Sequence, residues 1–250
     1  MKMRLTLGLC LSAAAIVALA VPGTASADPA GDKAVAAIDA AMNRAKTHKF
    51  DYEIINMEPG KSERTMAMKV LIKAEKRLTE FSAPSDMKGT KVLILSPTQM
   101  YVYLPAFGKV RRIASHTKDQ GSFGLAFSQD DMATQSYGGE YEGKVLADAG
   151  NEMKLALTPR AGKETNYGKI EITVAKDRML PTELKYFNAE GKNIKTETRT
   201  GYTCEGDVCT PGELKMVNNT KGNWTRLIRK AWKLNDSIAD DVFSQRNLGE

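Results

Sequence analysis

The sequence predicts a mainly β (α+β) protein, and two patterns indicate this fold class. Apolar and polar residues alternate with a period of two through most of the chain after Phe50, which is typical of half-buried β-strands. Turn signals such as Ala189-Glu190-Gly191-Lys192 and Pro211-Gly212 separate these segments and favour antiparallel hairpins. We therefore expect one long, curved antiparallel sheet, with a helix at its start and a helical insertion in the middle.

The first 27 residues have the pattern of a secretory signal peptide. Two basic residues precede an apolar run from Leu5 to Val21, and Ala25-Ser26-Ala27 forms an A-x-A cleavage site. The alternative is a membrane anchor, but the run is at the short limit for spanning a bilayer and ends in small residues. We expect a monomeric protein of the periplasm that begins at Asp28 and forms a single domain over residues 28–250.

A helix is expected from Asp32 to Thr47, because apolar residues recur there at helical spacing and Asp32 is placed to cap its start. A second, short helix is expected between Gly121 and Tyr137, where Ser128 is followed three residues later by Asp131. The tail after Asn235 is expected to pack back on the sheet. The predicted strands are Met66 to Ile72, Val92 to Leu95, Met100 to Leu104, Val110 to Ile113, Met153 to Leu157, Ile170 to Val174, Leu184 to Phe187, Ile194 to Thr198, Leu214 to Val217 and Trp224 to Leu234.

Two short helices cover a long sheet incompletely, so part of its apolar face is left for a cavity or a bound partner. Methionine recurs in the predicted strands, and its unbranched side chain suits surfaces that repack around variable apolar ligands. For each methionine the alternative is gap filling in an ordinary core. The candidate cavity residues are Met66, Met68, Val70, Ile72, Met100, Val102, Phe123 and Phe127.

Three basic residues, Lys109, Arg111 and Arg112, are candidates for contact with a head group or a partner. Neighbouring residues of a strand point to opposite faces, so one of the two arginines approaches the inner side or the rim of the sheet. Arginine suits a phosphate or carboxylate because its donors form a fork. The alternative is solvated charge, or a salt bridge to an acid such as Asp131.

The formal net charge of +6 falls to +4 when Lys2 and Arg4 leave with the signal peptide. Basic residues alternate with acidic ones instead of clustering, which argues against nucleic-acid binding. Cys204 and Cys209 flank a Gly-Asp turn, and in an exported protein this favours a disulfide that staples a hairpin. A redox or metal pair is the alternative, but its usual spacing is C-x2-C.

Catalytic and metal-binding motifs are not found in the sequence. His48 and His116 belong to no cluster with metal-ligand spacing, and the chain has no G-x-S-x-G elbow, P-loop or dinucleotide glycine pattern. The adjacent acids Asp130-Asp131 and Asp240-Asp241 are interpreted as capping or solvated charge. We expect no cofactor and no metal, and we expect that the protein is not an enzyme.

Residues 84–132 carry a family resemblance. The relevant segments are Pro84 to Leu93 (PSDMKGTKVL), Tyr103 to Ile113 (YLPAFGKVRRI), Ser122-Phe123-Gly124, and Phe127-Ser128 through Asp131-Met132. They resemble the LolA-like outer-membrane lipoprotein-sorting protein family, in a subgroup of uncharacterised members often found with membrane transport systems. The closing stretch, with Trp224-Thr225 and then Ile238 to Ser244, is similar to the end of that subgroup.

The resemblance implies an open, strongly curved antiparallel β-barrel of about eleven strands with helices covering one side. It also implies a hydrophobic cavity that shelters the acyl chain of a lipid or lipoprotein, taken from an inner-membrane transporter and passed to an outer-membrane acceptor. True sorting proteins of the family are shorter and lack the Leu104–Ile113 signature, so the cargo does not follow. The alternative function is a non-carrying, lipid-sensing or transporter-associated regulatory binding module.

Overall fold

The computed structural model describes residues 28–114 and 123–249. The predicted signal peptide, and the expectations attached to His116 and Ser122, lie outside the described residues. The helices are α1 (Pro29–Met42), α2 (Gln129–Ala133) and α3 (Gln245–Leu248), with 3-10 turns at Pro105–Phe107 and Asp240–Phe243.

The strands follow the predicted alternation along most of the chain. In the first half they are β1 (Thr47–Met57), β2 (Arg64–Lys73), β3 (Lys76–Ala83), β4 (Lys91–Ser96), β5 (Gln99–Leu104) and β6 (Lys109–Arg112). In the second half they are β7 (Tyr141–Ala149), β8 (Glu152–Pro159), β9 (Lys169–Ala175), β10 (Leu180–Phe187), β11 (Asn193–Thr200), β12 (Thr203–Glu205), β13 (Val208–Thr210), β14 (Glu213–Asn218) and β15 (Trp224–Leu234).

Thirteen strands of the described chain form one antiparallel sheet, in the order β6-β5-β4-β3-β2-β1-β15-β14-β11-β10-β9-β8-β7. Pairing of β1 with β15 joins the two halves of the chain. Strands β6 and β7 are edges, so the sheet is open. The protein is mainly β as expected, but the sheet has thirteen strands instead of about eleven. The sequence patterns do not mark β1, β3 and β7, because charged residues interrupt their alternation.

Strands β12 and β13 form a separate hairpin that pairs Cys204 with Cys209. The two cysteines are joined in a disulfide, which confirms the predicted staple. The sequence pattern does not mark these strands because each has only three residues.

Helix α1 begins earlier than predicted, and Asp28 caps it instead of Asp32. The Asp28 carboxylate accepts hydrogen bonds from the backbone N–H groups of Ala30 and Gly31, and Pro29 occupies the first turn, where proline is well tolerated. Asp32 instead accepts a hydrogen bond from the Gly143 N–H at 2.9 Å. The helix ends at Met42, and Thr47 already belongs to β1.

The inner face of the sheet, which carries Phe50, Val70 and Leu184, packs against α1 and α2. Val35 and Ile38 of α1 are buried there in a cluster that also contains Phe127. The opposite face carries Leu93, which is buried beneath the C-terminal tail. The tail therefore packs back as predicted, through Ile238, Phe243 and Leu248.

Helix α2 begins at the predicted signal. The Ser128 side chain accepts a hydrogen bond from the Asp131 N–H, and the Asp131 carboxylate accepts one from the Ser128 N–H. This capping box satisfies two backbone donors at a helix of only five residues. It confirms Asp131 as a capping residue and positions α2 over the inner face.

Candidate functional site

A cavity of about 740 Å³ lies between the inner face, the end of α1 and α2. We call it the inner-face cavity. Its apolar wall combines residues of both sheet halves with residues of both helices. This wall includes Met42, Phe50, Met68, Val70, Ile72, Phe127, Met132, Leu180, Leu214 and Leu227.

Four of the predicted cavity residues line the inner-face cavity: Met68, Val70, Ile72 and Phe127. The register explains the three on β2, because residues directly opposite in a sheet share a face. Met68 lies between Tyr52 and Phe81, Val70 lies between Phe50 and Thr79, and Ile72 lies between His48 and Arg77. The side chains of Met68, Val70 and Ile72, which form the predicted apolar row of β2, therefore point into the cavity.

The other four predicted residues lie elsewhere. Met66 is 1% exposed and packs in the core next to Ile54. Met100 and Val102 belong to a separate cluster formed by β4, β5 and the segment before α2, and Phe123 packs against both this cluster and the main core. Contact of any of the eight residues with a ligand stays a prediction.

Lys109, Arg111 and Arg112 are exposed on the edge strand β6 and do not line the inner-face cavity. Arg111 lies opposite Val102, its guanidinium carbon 5.3 Å from the centre of the Phe107 ring. Arg112 lies opposite Tyr101 and donates a hydrogen bond to the Thr98 carbonyl oxygen at 2.9 Å. The two arginines therefore occupy opposite faces, as expected for neighbours in a strand.

Polar residues of β11 also reach the inner face, which the sequence reasoning missed. Lys195 lies 2.6 Å from the Asp131 carboxylate, and Arg199 lies 2.7 Å from the Glu197 carboxylate. Asp131 is thus paired with a lysine of the sheet and not with an arginine of β6. Both faces of β11 are polar, so its alternation does not indicate which face is buried. The register of the sheet shows that the Glu197 face is the buried one, because Glu197 lies between Leu184 and Met216.

Aromatic residues and a histidine form one end of the inner-face cavity. His48 stacks on Phe50 with ring centres 5.3 Å apart, and its Nδ1 accepts a hydrogen bond from Nε1 of Trp232 at 3.2 Å. Burial, and secondarily the charge of Arg77, lowers the pKa of His48 to about 4. His48 is therefore neutral at pH 7, and burial raises the pKa of the neighbouring Tyr52 to about 12.

Within residues 28–114 and 123–249, no three His, Cys, Asp or Glu side chains are grouped as a metal site. Across the same ranges, every helix is too short or too polar to cross a lipid bilayer.

Comparison with known proteins gives one family and several similar structures. A family model described as an uncharacterized protein matches residues 73–250. The fold is similar to a DUF1329 family protein from Desulfovibrio piger (22% identity, 88% of this chain and 98% of that chain, TM-score 0.80). It is also similar to a structure described as an outer membrane lipoprotein-sorting protein domain from Vibrio parahaemolyticus (23% identity, 88% and 99%, TM-score 0.79). A LolA superfamily protein from Nitrosomonas europaea shares 18% identity over 87% of this chain and 98% of that chain, with a TM-score of 0.71. The search of curated proteins found no match.

Proposed function

We propose that this chain, which belongs to the family of uncharacterized proteins whose model matches residues 73–250, is a periplasmic carrier of acyl chains. It binds the chain of a lipid or lipoprotein in the inner-face cavity. The cargo passes from an inner-membrane transporter toward an outer-membrane acceptor. The similarity to a structure described as a lipoprotein-sorting domain supports this direction of transfer.

The observation that carries the proposal is the inner-face cavity itself. Its volume of about 740 Å³ falls within the range of small-molecule sites in proteins. Met68, Val70 and Phe127 give it an apolar wall, and methionine adapts its shape to different ligands. Each methylene group that moves from water into such a site contributes about 0.8 kcal/mol to the free energy of binding. Burial of one acyl chain is therefore enough to bind the cargo.

The exposed edge strand β6 suits contact with a partner protein. Lys109, Arg111 and Arg112 are exposed there, and Phe107 beside them is 60% exposed. An exposed aromatic ring beside an arginine, here Phe107 beside Arg111, is typical of protein interfaces. We therefore assign these basic residues to partner contact, since the cavity wall lies on other strands.

A tryptophan placed in the cavity tests the proposal. Ile72→Trp fills the space without adding a charge, so we expect affinity for a fluorescent fatty-acid probe to fall about tenfold or more while cooperative unfolding is retained. Lys69→Trp is the matched control, because Lys69 is exposed on the opposite face of the same strand. Its affinity should equal that of the unmodified protein.

Mass spectrometry of lipid extracted from protein purified out of a native periplasm identifies the cargo. The proposed function is wrong if the unmodified protein neither retains an acyl lipid nor binds the probe. It is also wrong if Ile72→Trp folds and binds the probe as tightly as Lys69→Trp does.

A further inference from the structure

Arg77 of β3 is a cavity-wall residue whose charge is not compensated. It lies opposite Ile72 and Ile94 on the inner face and lines the inner-face cavity. Its Nε atom is buried and has no hydrogen-bond partner. In the part of the chain that the structure describes, no carboxylate forms an ion pair with Arg77. The side chain as a whole is half-buried, so the guanidinium faces the cavity, where an anion can pair with it.

The two other basic residues on the inner face already form ion pairs. Lys195 is paired with Asp131 and Arg199 with Glu197, and the side chains of both carboxylates are nearly completely buried. The remaining carboxylate of the cavity wall is Glu75, which is exposed in the turn between β2 and β3. Arg44 and Lys46 also line the cavity, but both are exposed in the segment after α1. Among the described residues, Arg77 is therefore the cation on the inner face of the sheet that is left for a ligand.

The neighbours of Arg77 keep it charged and available. His48 is neutral at pH 7, and the Tyr52 hydroxyl stays protonated, so neither supplies a negative charge. Burial lowers the pKa of Arg77 to about 10, which leaves the guanidinium cationic at neutral pH. Its donors form a planar fork that matches a carboxylate or a phosphate.

The position of Arg77 also gives the ligand a direction. Arg77 lies one residue from the start of β3, close to the exposed turn residues Ala74 and Glu75. Along β2, Ile72, Val70 and Met68 then line the cavity over about 13 Å, at the usual rise of about 3.3 Å per strand residue. A cation at the solvent end and an apolar wall beyond it match a molecule with an anionic head and an apolar tail.

We propose that Arg77 binds the anionic head group, a carboxylate or a phosphate monoester, of a single-chain amphiphile whose tail lies along Ile72, Val70 and Met68. This inference rests on the proposed function, and it narrows the cargo to an anionic lipid. An uncharged acyl lipid would fill the same wall but leave the guanidinium unpaired.

The test compares ligands that share one chain and differ in the head group. Dodecanoate, dodecyl phosphate and dodecanol are titrated into the mature protein by calorimetry at pH 7.5. We expect one or both anions to bind about tenfold or more tightly than dodecanol, because a hydrogen bond between two charged groups is stronger than one to a neutral hydroxyl. The tighter of the two anions identifies the head group, and inorganic phosphate reveals binding of a free anion without a chain.

Variants of Arg77 assign the preference to this residue. Arg77→Gln should bring the anions to the affinity of dodecanol while dodecanol binding is unchanged, and Arg77→Lys should restore part of the preference. Arg64→Gln is the matched control, because Arg64 is partly exposed and paired with Asp86 outside the cavity. Without ligand, Arg77→Gln should melt no lower than the unmodified protein, because Arg77 has no ion pair within the described residues that the change would break.

The outcomes separate the two proposals. If dodecanol and the anions bind the unmodified protein equally, the head-group assignment is wrong and the acyl-carrier function stands. If Arg77→Gln folds and keeps the anion preference, another residue binds the head group and the assignment is again wrong. Binding of inorganic phosphate with no effect of the chain overturns it as well. If none of the chain ligands binds, both proposals fail together.

Discussion

His48 shows at the scale of one residue how burial sets charge. Its ring stacks with those of Phe50 and Trp232, and burial and the nearby Arg77 lower its pKa to about 4. In the unfolded chain the pKa of histidine is about 6.5. Between these values the unfolded state binds a proton that the folded state does not, so the free energy of unfolding falls as pH falls from about 6.5 to about 4.

His48→Gln tests this pH dependence, since glutamine still provides an acceptor for the Trp232 N–H. We expect the stability of the unmodified protein relative to His48→Gln to fall by about 1–2 kcal/mol between pH 7.5 and pH 4.5, a value discounted for partial exposure. Urea unfolding at the two pH values measures the difference. The carboxylates affect both proteins equally and cancel. If the stability difference between the two proteins is the same at both pH values, the lowered pKa of His48 is contradicted.

Contact between α1 and β7 shows at the scale of elements why one glycine is required. A Cβ on Gly31 would lie 2.1 Å from the Gly143 carbonyl oxygen, closer than any side chain can approach. The close approach lets Asp32 accept from the Gly143 N–H and lets Asp28 accept from the Val145 N–H at 3.0 Å. The first turn of α1 is therefore held against β7 by these two hydrogen bonds.

Gly31→Ala should destabilise the protein by about 1–3 kcal/mol, because the helix must move away from β7. In a solvent-exposed helix the same change would stabilise it by about 1 kcal/mol, so the sign of the effect is diagnostic. Gly139→Ala is the control, since a Cβ there meets no atom within 4 Å. Denaturant unfolding measures both variants. Equal stability of the two variants would refute the close packing of α1.

Secondary structure at this scale was predicted where one face of a strand is apolar. Strand β2 was found because Met66, Met68 and Val70 alternate with polar residues, and α2 was found from its capping box. Strands β1 and β7 were missed because charges fall among their apolar residues. Their position comes from pairing with distant strands, such as β1 with β15, which no local pattern records.

Export and oxidation act on the molecule as a whole, and one sample tests both. The predicted cleavage after Ala27 would leave Asp28, whose carboxylate caps α1, at the N-terminus. The same predicted cleavage would remove Cys10, and Cys204 and Cys209 are joined to each other. The mature protein should therefore contain no free thiol.

Intact mass and N-terminal sequencing of the periplasmic protein should give a chain that begins at Asp28 and is lighter by two hydrogens than its reduced form. Denatured, unreduced protein should not react with a thiol reagent. Two reactive thiols per chain would contradict the disulfide between Cys204 and Cys209. Recovery in membranes only, with residues 1–27 retained, would contradict a carrier that diffuses. Sedimentation of the same sample tests the expected monomer.

The sequence by itself determined the mainly β class, the alternation of β2, the capping box of Ser128 and Asp131, the Cys204 and Cys209 pair and the returning tail. Apart from the returning tail, which packs on the distant Leu93, these features depend on residues a few positions apart, whose geometry is set by the local backbone. Tertiary structure decided which apolar residues line the inner-face cavity. Met66 and Met68 follow the same pattern, yet only Met68 reaches it. Tertiary structure also decided that Arg77 and Glu197 point inward, because alternation separates the two faces of a strand but does not say which one another element will cover.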